Sequence, residues 1–228
     1  MIYILITFFL FFSSIALTNK FQAQRKIYYY LIIFILFIFS AFRYKVGCDW
    51  GGYDNMYTHL SEIDWYYIIS KSSILFWTIS KVMRDFNIPY PFINVITSLI
   101  FFVGIHVLAR RQPNPLSFIV LLFPILILNM PMSAIRQAAA IGIMCIAFTS
   151  IMDRRPIAYI IWVLIATGFH SSAIIFLLLI PFSTGRYNND RLIMSLLISI
   201  PALIAITFLD SAQTAKSIYI GTNLESYG

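Results

Sequence analysis

"EIDWYYIISKSSILFWTISKVMRDFN", residues 62–87, is the stretch whose reading decides the fold. Its longest uncharged run, Ser72 to Ser80, covers about nine residues, whereas a membrane-spanning helix needs about 20. If the stretch crossed a membrane, every later basic connection would change sides. It is expected instead to be an interfacial amphipathic helix on the outer side. Lys71, Lys81, Arg84 and Asp85 would form its polar face, and Trp65, Tyr66, Phe76 and Trp77 would sit among headgroups.

Around this stretch the chain is apolar. Of its 228 residues, 60% are hydrophobic and 11% charged, far from the balance of a soluble domain. The pattern predicts an all-α, polytopic integral membrane protein, residues 1–228 forming a single transmembrane domain. Apolar runs cover 2–17, 27–42, 91–109, 115–130, 133–152, 156–169, 171–183 and 192–209, which gives about eight transmembrane helices. The net charge of +7 is spread over short connections and does not point to nucleic acid. "NKFQAQRK" (19–26), "ARRQPNP" (109–115), "DRRP" (153–156) and "TGRYNNDR" (184–191) each carry Lys or Arg and fall at alternate connections. The positive-inside rule places all four in the cytoplasm, and both termini outside. Residues 1–17 lack a basic region ahead of the apolar run and are read as a retained first helix rather than a signal peptide.

Smaller features fit the same plan. Pro124 and Pro201 fall inside runs and are expected to kink them. Ala134, Ala138 and Gly142 recur every four residues, a stripe for close helix packing. His59 reads as interfacial and His106 as a packing residue. Asp49 and Asp54 have no second group of ligand-type residues, so no metal is expected.

The remaining polar residues gather on the outer side. Lys26 to Arg43 rises roughly 25 Å, Arg136 to Met152 falls roughly 24 Å, and Pro156 to His170 rises roughly 21 Å. Arg43, Arg136 and His170 therefore end at similar depth, where ionisable groups normally line a hydrated cavity. Two arginines favour phosphate or pyrophosphate, because the guanidinium binds such oxygens bidentately and stays charged. Asp49 or His170 would orient or deprotonate an acceptor hydroxyl, and Trp50, Tyr53 and Tyr57 would stack on sugars. No P-loop, HExxH or GxSxG signature is present.

Three stretches in this order, "RYKVGCDWGGY" (43–53), "IRQAAA" (135–140) and "FHSSA" (169–173), resemble the EpsG-like family of Wzy-type polysaccharide polymerases. That family reads R-x-x-V-G-T-D-Y, then I-R-Q-x-[LA]-A, then H-x-[ST]-A. Cys48 and Trp50 replace the more usual Thr and Tyr. The resemblance implies a glycosyltransferase of the bacterial inner membrane that joins undecaprenyl-pyrophosphate-linked oligosaccharides on the outer face. It implies no metal or other cofactor. Its partners would be the lipid-linked substrate, membrane lipids, and the flippase and chain-length regulator of the same pathway. Carried onto this chain, the implied catalytic residues are Asp49, Arg136 and His170, with Arg43, Tyr53 and Gln137 binding substrate. Relatives are commonly longer, and "SIYIGTNLESYG" (217–228) resembles the opening of an outer loop that leads into further helices, so a C-terminally truncated chain is expected. The rival readings are a flippase or transporter of lipid-linked sugar, a membrane acyltransferase using His170, and an inactive polymerase fragment.

Overall fold

The structure, a computed structural model, describes residues 2–16, 22–47 and 49–184, with positions 190, 193 and 197 in isolation. The described residues are helical, with no strand among them. Two long helices open the chain, α1 (Ile2–Ala16) and α2 (Gln22–Ala41), and three short ones follow, α3 (Trp50–His59), α4 (Trp65–Ser70) and α5 (Ile74–Asp85). Then come α6 (Pro91–Ala109), α7 (Pro115–Leu122), α8 (Ile135–Met152) and α9 (Pro156–Phe169), and a 3₁₀ helix over Ser171–Thr184. Pro91, Pro115 and Pro156 each start a helix, where the missing N–H costs nothing and the fixed φ favours the first turn. Asn114 also caps α7, its side-chain oxygen accepting from the Ser117 amide at 3.3 Å, as a helix N-terminus requires.

Three helices are long and apolar enough to cross a membrane: Gln24–Ala41, Pro91–Ala109 and Ile135–Met152. Shorter apolar helices cover Leu5–Ser14, Pro115–Ile127, Pro156–Phe169 and Ser171–Ile180. The expected irregularity at Pro124 is a widened π turn over Phe123–Ile127, which accommodates a residue that cannot donate to the helical ladder. The 3₁₀ winding of Ser171–Thr184 also changes its reach. At about 2.0 Å per residue its fourteen residues extend about 28 Å, against about 21 Å as an α-helix. This run thus approaches the thickness of a hydrocarbon core, about 30 Å. The eighth apolar run, 192–209, Pro201 and the 217–228 tail lie outside the described residues, apart from the isolated positions 193 and 197.

Side-chain contacts fix the running directions. Tyr29 near the start of α2 hydrogen-bonds His106 near the end of α6 at 2.9 Å. Arg111, just past α6, forms a two-pronged ion pair with Asp153, just past α8, at 3.0 and 2.8 Å. Ser14 near the end of α1 meets Ser117 at the start of α7 at 2.9 Å. One end of the bundle therefore collects the start of α2, the ends of α1, α6 and α8, and the arginines beside them. The other end collects Arg43 and the starts of α6 and α8. Helices α6 and α8 run in the same direction and touch backbone to backbone. A Cβ on Gly104 would lie 1.8 Å from the Gly142 carbonyl oxygen, and one on Gly142 2.5 Å from that of Ile100. Ala138 is fully buried on the same stripe, so the small residues serve close packing as expected. The His106 bond likewise matches its reading as a packing residue.

Residues 62–87 do not form the single interfacial helix expected of them. The chain breaks between α4 and α5 at Lys71–Ser73, and Ser73 takes a left-handed conformation (φ 65°). Phe76 and Trp77 are buried at 3% and 5% exposure, and Lys81 at 4%, rather than facing headgroups or water. Lys81 pairs with Asp85 at 2.9 Å and donates to the Ser61 carbonyl at 3.3 Å. Trp65, Tyr66 and Asp85 remain exposed as expected. Hydropathy along a chain cannot register that α3, α4 and α5 pack as a cap on α8 and α9 through Ile68, Phe76, Trp77, Ile135 and Ala139.

Candidate functional site

The site lies where this cap meets the bundle. Arg43 follows the last turn of α2 and is 5% exposed. Taking a guanidinium out of water costs several kcal/mol unless its donors are satisfied. One Nη group of Arg43 donates to the Pro131 carbonyl and the other to Asn94 Oδ1 at 3.2 Å. Burial depresses its pKa, offset in part by Tyr90, Tyr53 and Asp49, and an arginine remains charged under such shifts. The turn that sets this side chain depends on Gly47. Its φ is +102°, and a Cβ there would stand 2.0 Å from the Met132 carbonyl oxygen. The Val-Gly pair thus lets the loop after α2 lie directly on the loop before α8, which also supplies Pro131.

Arg136, in the first turn of α8, is half-buried. Its Nε donates to the Tyr53 hydroxyl at 3.1 Å, and its guanidinium carbon lies 5.6 Å from the Tyr53 ring and 5.7 Å from the Trp77 ring. Such cation–aromatic contacts hold the charge without neutralising it. Among the described residues, no hydrogen bond engages its two Nη groups. The two arginines therefore differ: Arg43 spends both Nη groups on the protein and buries its Nε without a partner, whereas Arg136 is oriented through Nε with the outer edge of its fork unspent. Tyr53 stands between them, bonded to Arg136 and within electrostatic range of Arg43.

His170 closes the constellation from the turn between α9 and the 3₁₀ helix. The Gln137 amide nitrogen lies 3.3 Å from its Nε2, so the amide donates and Nε2 accepts. Nδ1, the protonated nitrogen in that arrangement, is buried without a hydrogen-bond partner. Burial, and then the charge of Arg136, hold the imidazole below its ordinary value of 6.5.

Arg43, Tyr53, Arg136, Gln137 and His170 are thus brought to one end of the bundle. Asp49 is not drawn into contact with them. It is exposed at the start of α3 with no side-chain cap bond, and it acts on Arg43 only as a nearby charge. Trp50, Tyr53 and Tyr57, expected to stack on sugars, are buried at 8%, 9% and 5% exposure. Trp50 and Tyr57 pack on Tyr90 at 4.9 and 5.7 Å between ring centres. Beside them, the void lined by Tyr53, Trp77 and Tyr90 measures about 10 Å³, room for about one water.

Four neighbours were not expected at the site. Asn94 is fully buried and holds Arg43, with its Nδ2 unpartnered. The buried Tyr90 faces the Arg43 guanidinium, although its hydroxyl makes no hydrogen bond of normal geometry. Trp77 carries Arg136 on one side, and Lys71 lies 5.0 Å from the same ring. A buried Asn in the first turn of an apolar helix was the available signal, since such residues seldom go unused inside a membrane.

Comparison with curated proteins and with solved structures found no match. A family model does match, across residues 26–227, and it takes in all three motif stretches and every residue of the constellation. The chain belongs to the EpsG family, a family of Wzy-like polysaccharide polymerases.

Proposed function

We propose that this protein is a multi-pass glycosyltransferase of the bacterial cytoplasmic membrane that joins oligosaccharide repeat units carried on undecaprenyl pyrophosphate. In this reading the capped end of the bundle faces outward, the arginine-rich end faces the cytoplasm, and about eight segments cross. The observation that carries it is the Arg136 fork, fixed at Nε by Tyr53 and open at both Nη groups. That geometry suits the oxygens of a departing pyrophosphate.

In the transfer, an acceptor hydroxyl oxygen attacks the anomeric carbon of the growing glycan. The bond from that carbon to the pyrophosphate oxygen breaks, and the electron pair leaves with the pyrophosphate. His170 is neutral at pH 7 and takes the hydroxyl proton on Nε2 once Gln137 yields it. Gln137 then orients the acceptor, while Arg43 and Asn94 hold the floor of the site. Asp49 lies at the rim, placed to orient the incoming sugar rather than to react. The flippase and chain-length regulator of the pathway are its expected partners.

The test is glycan length in cells carrying Arg136→Ala. The expected outcome is loss of polymer while single repeat units still reach the surface. Arg136→Lys keeps the charge but not the fork and should restore only a small part. Normal-length chains in Arg136→Ala would overturn the assignment, and absence of any surface unit would favour a transporter.

A further inference from the structure

The opposite end of the bundle holds a second polar feature, outside the constellation described above. A cavity of about 370 Å³ opens where α2 begins, α6 ends and α7 begins, lined by Arg25, Lys26, Arg110, Tyr29, Tyr30 and Asn114 among others. Three of these side chains are cationic, and among the described residues lining it none is acidic. Asp153, a carboxylate at this end, is already held by Arg111 through both oxygens. The walls are braced: Tyr29 is bonded to His106, and Arg25 Nη2 reaches Ser117 Oγ at 3.5 Å.

The cavity does not stand alone. Tyr30 also lines a groove of about 440 Å³ between α2 and α6, which continues along Phe34, Phe37, Leu99, Phe102 and Val103. Its surface is almost wholly apolar. Phe34, Leu99 and Val103 are 60%, 50% and 46% exposed, on the two helices that are long enough to cross a membrane. A basic, hydrogen-bonding cavity thus sits at the depth where headgroups begin, and an apolar channel leaves it along the hydrocarbon.

We propose that this end of the protein binds one anionic phospholipid, with its phosphate among Arg25, Lys26 and Arg110 and one acyl chain in the groove between α2 and α6. Each element of the surface then has a matching part of the ligand. A soluble phosphate would leave the groove unexplained. A zwitterionic lipid would bring an ammonium into a cavity whose described lining offers it no carboxylate. Basic residues beside a membrane helix favour anionic headgroups in just this way, and within the hydrocarbon a groove of this shape holds an acyl chain through van der Waals packing.

The test uses the full chain, purified in neutral detergent, exposed to equal amounts of phosphatidylglycerol and phosphatidylcholine and analysed by native mass spectrometry. One phosphatidylglycerol should be retained in clear preference to phosphatidylcholine. Combining Lys26→Gln with Arg110→Gln should weaken that retention roughly tenfold or more. Lys26→Arg with Arg110→Lys should preserve it, and Arg154→Gln, a basic residue at the same end but outside the cavity, should leave it unchanged. Val103→Trp, which fills the groove, should weaken retention without removing any charge. Melting temperatures measured without lipid confirm folding, and if the double variant does not fold, Arg110→Gln alone and Val103→Trp decide. Equal retention of the two lipids overturns the proposal, as does an equal loss in Arg154→Gln. Displacement of the lipid by millimolar inorganic phosphate, with no effect of Val103→Trp, would show a soluble-anion site and overturn it too.

Discussion

Arg136 Nε and the Tyr53 hydroxyl meet at 3.1 Å across 83 residues of sequence, so the second motif is aimed by the first. The phenol fixes the plane of the guanidinium and leaves its outer edge for a ligand.

Tyr53→Phe is therefore expected to slow polymer synthesis by about tenfold, the worth of one hydrogen bond to a charged group. Tyr53→Ala should cost more, since the ring contact is lost as well. Tyr57→Phe is the control. Its hydroxyl donates to the Ile88 carbonyl, away from Arg136, and its loss should lower stability rather than rate. Glycan ladders and melting temperatures separate the two effects.

Neighbouring glycines should respond in opposite ways. Gly47→Ala forces a side chain onto a left-handed residue and against the Met132 carbonyl. A loss of about 2–4 kcal/mol is expected. A Cβ on Gly51 would meet nothing within 4 Å, and Gly51 lies inside α3. Gly51→Ala should be neutral or stabilise by about 0.5–1 kcal/mol. Thermal unfolding in detergent measures both.

The third expectation concerns pH. His170 is held below 6.5 by burial first and by Arg136 second. As pH falls through 6.5 the unfolded chain takes up this proton before the folded one, so the fold loses stability in that range. Above it the imidazole is neutral in both states and contributes no such dependence. Histidine-selective NMR should show His170 titrating below 6.5, and polymerase activity should decline with the same midpoint. Arg136→Gln should move the NMR midpoint upward but leave it below 6.5, because burial persists. A midpoint unmoved by Arg136→Gln would remove the electrostatic link between the two residues.

Much of the site was legible in the sequence because depth along a helix can be counted. Arg43, Arg136 and His170 are each the polar end of an apolar run, and helical rise alone placed them at one level. Tyr53 and Gln137 came with the motifs that carry those charges. What the count could not supply was lateral position. Asp49 is one turn before Tyr53, yet it faces solvent while Tyr53 reaches the arginine. Trp77 and Phe76 looked interfacial because aromatic residues near charges usually are, and only tertiary packing of α5 on α8 and α9 buries them. Asn94 was missed because one polar residue hardly alters the hydropathy of "PFINVITSLIFFVGIHVLA" (91–109), although its partner is a buried cation.

The contact between Gly104 and Gly142 has a mechanical consequence. With no side chain between them, α6 and α8 have no slack to slide or tilt past one another, and they behave as one beam. Asn94 and Arg136 ride at the same end of that beam, so their spacing survives any motion of the rest. The opposing jaw is built from α3 and α5, which bring Tyr53 and Trp77 and are joined to the beam by short, broken segments. That jaw holds Arg136 from one side through the Tyr53 hydroxyl and the Trp77 ring, so any give in it re-aims the ligand-facing fork against a fixed frame.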